Sequence, residues 1–323
     1  MADSRRSTRL VMVWVSASAM RRHYLGDAQG LSIGYAAMDK RYQLVSACIR
    51  ERSPTQYGSR EEDRMLCRRM PLIALILWLG STPAWALDES KLIDLTYAFD
   101  EHTISWPTAK PYELEVVAAG KTEAGYWYAA NNFCLSEHSG THMDAPIHFA
   151  QGKRAASEVP LQQLIGPAVV IDVSTKAAQD ADYRVTVADI EAWELQHGQI
   201  PKGAIILMFS GWGQYWPDKK RYLGTDKPGD VENLHFPGFS REAAEFLVSQ
   251  RDIDAVGVDT PSIDYGQSTN FIVHQIINGA DKPGLENVAN LDHMPPAGAT
   301  LIALPMKIAK GSGAPVRIIA ILP

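Results

Sequence analysis

Two kinds of hydrophobic spacing run along the chain after residue 90, and they alternate. Short continuous apolar runs, "PAVVIDV" (167–173), "AIILMFS" (204–210) and "DAVGVDT" (254–260), predict strands buried on both faces. "KLIDLTYAF" (91–99), "YELEVVAA" (112–119), "GYWYAANNF" (125–133), "TLIALPMKI" (300–308) and "VRIIAIL" (316–322) predict further strands. Helical spacing separates the buried runs. A helix over 187–197 is announced by Thr186 as N-cap, Asp189 three residues on and Gly198 just past the end. A second covers 241–250 behind Ser240, and "FIVHQIIN" (271–278) forms a third, shorter one. The stretch 211–239, rich in Gly, Pro and aromatics, reads as a long loop, and loops of that length often carry function. The pattern is mixed α/β, and nothing after residue 90 resembles a linker, so 87–323 is expected to fold as one domain.

The first quarter of the chain is patterned differently. Residues 65–86, "MLCRRMPLIALILWLGSTPAWA", contain the parts of a secretory signal: Arg68 and Arg69, the apolar run Leu72–Leu79, and the small-x-small site Ala84-Trp85-Ala86. That run is too short to anchor stably in a bilayer. Residues 1–64, with ten arginines and one lysine, read as a disordered upstream extension from a mis-assigned start. Cleavage near Ala86 would make the mature protein extracytoplasmic, periplasmic or secreted. It would then keep only Cys134, expected to be a small buried hydrophobe.

A net charge of -6 and a pI near 5.9 argue against a nucleic-acid partner. Histidine is scarce, nine in 323 residues, yet three of the nine fall within "HSGTHMDAPIH", residues 138–148. His138, His142 and Asp144 form H-x3-H-x-D, and imidazole nitrogen with carboxylate oxygen suits Zn²⁺, Mn²⁺ or Fe²⁺. Ser139-Gly140-Thr141 and Pro146 make a helix improbable there. A loop bent at Gly140 is expected to converge these side chains on an ion. Asp259 and Asp264 in "GVDTPSID" read equally well as groups orienting a ligand histidine or as strand-end turns. Trp212, Tyr215 and Trp216 read either as pocket wall or as core. His102, His197, His235 and His293 are expected to be bystanders. Ser210 in "FSGW" is not a nucleophile elbow, since G-x-S-x-G is absent.

"EHSGTHMDAPIHF" resembles the HxGTHxDxPxHF signature of the cyclase family of metal-dependent hydrolases, whose best-understood members are bacterial kynurenine formamidases. The resemblance runs from about residue 92 to the C-terminus and includes Trp106-Pro107, "GPAVVIDVS", "FSGW", "GVDTPSID" and "FIVHQIINGADKPGLENVANLD". It implies a swivelling β/β/α fold with a mixed-sheet, barrel-like core flanked by helices, in a homodimer or higher homo-oligomer. By the same resemblance His138, His142 and Asp144 bind one metal. Asp144 bridges to a second, completed by His274 and by Glu286 twelve residues beyond it. His148 corresponds to the catalytic proton donor and acceptor and Trp106 to an aromatic packing on substrate; Trp212 is added as a second substrate-binding residue. The cofactor is then one or two divalent ions, Zn or Mn.

The implied activity is hydrolysis of an amide C–N bond in a small aryl amide by metal-activated water, most specifically arylformamidase activity in tryptophan catabolism. Opening of a cyclic amide such as isatin is the alternative on the same scaffold. The carboxylate at Glu286 is associated with the two-metal formamidases, whereas an export signal fits a cytoplasmic tryptophan pathway poorly. A ligand-binding protein without turnover is the alternative of another class, and the intact His148 argues against it.

Overall fold

The continuous apolar runs become neighbouring parallel strands because each has two faces to bury. A computed structural model describes residues 88–323, so the readings of 1–64 as an extension and 65–86 as a signal lie outside the described residues. In chain order the strands are β1 (Leu92–Asp94), β2 (Glu113–Lys121), β3 (Trp127–Cys134), β4 (His142–Asp144), β5 (Ile165–Asp172), β6 (Arg184–Val185), β7 (Ile205–Phe209), β8 (Gly238–Phe239), β9 (Ala255–Val258), β10 (Gly284–Glu286), β11 (Thr300–Pro305) and β12 (Gly313–Ile321). The order β12-β11-β5-β7-β9-β10-β4 closes into a ring, because β12 pairs with β11 over Val316–Ile321 and with β4 over Gly313–Pro315; β1 pairs with Ile319–Ile321 of β12, on the edge opposite β11. Closure removes the open edges of the sheet. The result is a seven-stranded, barrel-like mixed sheet flanked by helices, as the resemblance implied.

Residue alternation assigns the two faces. Ile205 and Leu207 of β7 pack inside the ring with Met143, Val170, Leu285, Leu301 and Ile318. Their neighbours Ile206 and Met208 point out onto the helices, against Ile190, Trp193, Leu247 and Ile277. Burying each such side chain contributes roughly 1.5–3 kcal/mol. Among the described residues the three longest helices are α1 (Val187–His197), α2 (Arg241–Gln250) and α3 (Ile272–Gly279). The Thr186 hydroxyl accepts from the Asp189 amide and the Asp189 carboxylate from the Thr186 amide, the expected capping box. Ser240 caps α2 by accepting from the Ala243 amide. No helix among the described residues is long and apolar enough to cross a membrane.

Three elements differ from their sequence signal. β1 spans only Leu92–Asp94, because the chain then leaves the ring: Tyr97 donates its amide to the Thr141 hydroxyl rather than to a strand. The 211–239 segment is not wholly irregular; it contains short helical turns at Trp212–Tyr215 and Lys219–Leu223 and the strand β8. Cys134 is exposed rather than buried, because β2 and β3 form a two-stranded ribbon of their own, separate from the ring.

Candidate metal centre

β4 is three residues long and carries the centre on its ends. Strand alternation sends His142 and Asp144 to one side and Met143, fully buried, into the ring. The turn before it is tight: Gly140 has φ 58°, and a Cβ there would lie 2.9 Å from the Phe99 ring, so glycine is required. The Thr141 hydroxyl pins the strand by donating to the Asn287 carbonyl at 2.7 Å. β10 lies antiparallel to β4 with Glu286 directly opposite His142. The fifth group, His274, comes from the first turn of the short helix α3.

These side chains meet. Asp144 Oδ1 is 2.6 Å from His138 Nδ1 and 3.2 Å from His142 Nε2, and Asp144 Oδ2 is 3.1 Å from His274 Nε2. Glu286 reaches His142 Nε2 at 3.3 Å through Oε2 and His274 Nε2 at 3.2 Å through Oε1. Asp144, His142, His274 and Glu286 are 5% exposed or less. His148 stacks on His138 with ring centroids 3.9 Å apart, and its ring nitrogen falls within 4.8 Å of ligand atoms of His138 and Asp144. The six residues singled out for metal binding and proton transfer therefore share one site.

Outer partners decide which nitrogens face inward. His142 Nδ1–H donates to the Gly140 carbonyl at 2.9 Å, and His274 Nδ1–H donates to Asp264 Oδ2 at 2.7 Å. Neutral imidazoles so held present bare Nε2 lone pairs to two carboxylates. His142 Nε2 indeed has no hydrogen-bond partner. Two buried carboxylates facing imidazole lone pairs cannot be stabilised by one another; positive charge among them, from a cation or from protons, offsets the repulsion. The residues present fit a divalent ion. Without one, protons serve: burial pushes the His142 imidazolium down, but Asp144 and Glu286 outweigh it and lift the group to about 10. His274 is raised in the same way against burial, chiefly by Asp144 and Asp264. Burial pushes Asp144 up, and His138 and His148 overcome this and hold it well below the usual carboxylate range. His148 goes the other way, lowered to about 4 chiefly by burial, so it is neutral at pH 7.

The two aspartates of "GVDTPSID" divide between their readings. Asp264 orients His274, and its carboxylate also accepts the Val273 and His274 amides at the start of α3. Asp259 instead holds a turn, accepting from the Ser210 amide and hydroxyl and the Trp212 amide, with burial raising it to about 6.

A cavity of about 270 Å³ opens onto the centre, walled by Trp106, Phe149 and Phe271 beside His138, His148 and His274. Phe149 stands edgewise to His148 at 4.5 Å and 4.6 Å from the His274 ring. Trp212 does not join this wall. The structure places it, 7% exposed, in a core cluster with Tyr222, Leu234 and Phe236, its indole N–H donating to the Tyr222 carbonyl. Tyr215 and Trp216 pack against the same cluster. Phe271 and Asn287 are pocket residues that spacing and motif had not singled out. Asn287 lines the cavity and donates through Nδ2 to the Gly140 carbonyl at 2.6 Å, reinforcing the acceptor that holds His142. Its position directly after Glu286 was the available signal.

The chain matches the family model Cyclase, described as "Putative cyclase", over residues 93–265. It is similar to the isatin hydrolase of Roseibium aggregatum, 36% identical over 207 residues, covering 62% of this chain and 77% of that protein. It is also similar to the kynurenine formamidase of Bacillus cereus, 29% identical over 230 residues, 71% of this chain and 96% of the other. Among solved structures, isatin hydrolase A from Ralstonia solanacearum superposes with a TM-score of 0.67 at 30% identity, covering 84% of this chain and all of that one.

Proposed function

The chain belongs to the cyclase family, and on that footing we propose that it is a metal-dependent hydrolase cleaving the amide C–N bond of a small aryl amide. The observation that carries this reading is the set of inward-facing acceptors from His142, Asp144, His274 and Glu286, all buried, and from the half-buried His138, open to a cavity with aromatic walls. One or two divalent ions, Zn²⁺ or Mn²⁺, held by those five residues would supply Lewis acidity and lower the pKa of a coordinated water from 15.7 to about 7. Trp106, Phe149 and Phe271 accept an aryl ring and exclude water from one side of it. His148, neutral and lining the same cavity, takes a proton from the attacking water and returns it to the departing nitrogen.

Two substrates fit. N-Formylkynurenine, cleaved to kynurenine and formate, is supported by similarity to a kynurenine formamidase along nearly its whole length and by the carboxylate at Glu286. A cyclic amide such as isatin is supported by the higher identity to an isatin hydrolase and by the structural likeness. Assaying one purified sample on both compounds is expected to show metal-dependent turnover of at least one, and the faster one ranks the readings. Hydrolysis of neither would overturn the proposal.

The same reading covers assembly and location. The β2–β3 ribbon leaves Leu114, Val116, Trp127, Tyr128 and Phe133 each at least 52% exposed, and an isolated two-stranded ribbon is marginally stable by itself. A second copy of this chain is the proposed cover, and export with cleavage near Ala86 the proposed processing. Light scattering and N-terminal sequencing of the natural protein are expected to give a multiple of the mature chain mass and a first residue near Leu87. A monomer would contradict the first, and an unprocessed start the second.

A further inference from the structure

His138 differs from the other two histidines in the ring atom it turns inward. His142 and His274 give their Nδ1 atoms to outer acceptors and present Nε2. For His138 the arrangement is reversed: Nδ1 lies 2.6 Å from Asp144 Oδ1, and Nε2 lies 2.9 Å from the Ser312 hydroxyl oxygen. Ser312 sits in the turn "GSG", residues 311–313, at the start of β12, more than 170 positions from His138 in sequence.

What Ser312 can offer is set by its own partner. Glu137 Oε2 is 2.8 Å from the Ser312 hydroxyl, 2.9 Å from the Ser312 amide and 3.3 Å from the Gly313 amide. Because this same oxygen accepts both backbone amides, it is an acceptor toward the Ser312 hydroxyl as well and takes its single proton. The Ser312 oxygen is left with lone pairs facing His138 Nε2, which must then carry the ring hydrogen. Nδ1 is consequently a bare lone pair aimed at a carboxylate oxygen. The backbone allows this close approach, because a Cβ at position 313 would fall 2.5 Å from His138 Cε1 and 2.9 Å from His138 Nδ1. Glycine at 313 is what lets the ring lie this close to β12.

We propose that Glu137 and Ser312 are positioning residues that fix His138 as the Nε2–H tautomer, so that it coordinates metal through Nδ1 while His142 and His274 coordinate through Nε2. The inference rests on the metal-centre reading above. It explains why Glu137, directly beside the first histidine, turns away from the centre: it acts through Ser312 on the far side of that ring. Partners of this kind change metal affinity by about 10- to 100-fold.

The wild-type protein loaded with Zn²⁺ and labelled with ¹⁵N in its histidine rings tests this directly. Long-range ¹H–¹⁵N correlation, with His138 identified by the signals lost in His138→Ala, is expected to show Nε2 protonated and Nδ1 bound. The opposite pattern, Nδ1 protonated and Nε2 bound, would overturn the inference and leave the metal centre standing. Failure of the protein to take up zinc would overturn both. As a second readout, Ser312→Ala is expected to weaken Zn²⁺ about 10- to 100-fold and Ser312→Thr to restore it. Unchanged zinc affinity in Ser312→Ala would also count against the assignment.

Discussion

Asp144→Ala is expected to lower amide hydrolysis by more than about 10³-fold and to leave the purified protein without its divalent metal. Asp144 is the one group within 3.2 Å of the inward nitrogens of all three ligand histidines, at 2.6 Å from His138, 3.2 Å from His142 and 3.1 Å from His274. Its loss removes the bridge between the two halves of the centre and leaves Glu286 alone to offset a dication. The direction with pH follows from the protons that stand in for metal. His142 is raised to about 10, so it is protonated at pH 7 in the metal-free protein, and His274 is raised in the same direction. Metal must displace those protons, and affinity should therefore tighten as pH rises from 6 toward 9. The stability of the metal-free fold should move the opposite way. Imidazoles raised above their unfolded value of 6.5 stabilise it fully below that pH, and the contribution fades as pH climbs through about 10. Elemental analysis and turnover, measured together on wild type and Asp144→Ala, check the first claim; a variant retaining both would refute it.

His148→Ala is expected to reduce turnover by about 10²- to 10⁴-fold, the usual scale for a positioned proton-transfer group, while metal content stays near the wild-type value. The split between activity and metal is the point of the test. Ring nitrogens of His148 and His138 and an oxygen of Asp144 lie close enough together to hold an ion, so geometry alone permits His148 to be a ligand. Its electrostatics speak for the other role. Burial lowers it to about 4, whereas His142 and His274, each with Nε2 within 3.3 Å of both Asp144 and Glu286, are raised. A neutral imidazole on the cavity wall can accept a proton and pass it on. Activity should accordingly fall at acid pH, as His148 becomes protonated and loses its lone pair. If His148→Ala lost metal in step with activity, the residue would be a ligand rather than a proton carrier.

What the chain discloses by itself is local. Thr186 with Asp189, and Ser240, set helix starts that the structure reproduces to the residue, because a cap depends on neighbours within one turn. His142 and Asp144 were expected together on a loop bent at Gly140; the structure instead holds them on one side of a three-residue strand by alternation. The pairing of Glu286 opposite His142 could not be read locally, being set by strand register between segments 144 positions apart. The same holds for Ser312, which reaches His138 only because β12 bends from β11 onto β4 and closes the ring. Resemblance to a family supplied His274 and Glu286; periodicity had no means to. Trp212 shows the converse failure. An aromatic in a glycine-rich loop suits pocket and core equally, and only the packing of Tyr222 and Phe236 around it decides for core. Cys134 was misjudged because composition could not reveal that β3 stands apart in an exposed ribbon.

In the proposed centre, divalent cations hold together the inward-facing acceptors of His138, His142, Asp144, His274 and Glu286. Counting metal per chain by elemental analysis of the natural protein, purified without added metal, tests it most directly. One or two divalent ions per chain, removed by chelator together with hydrolysis, is the predicted result. A preparation free of metal that hydrolyses its amide substrate at the undiminished rate would contradict the account.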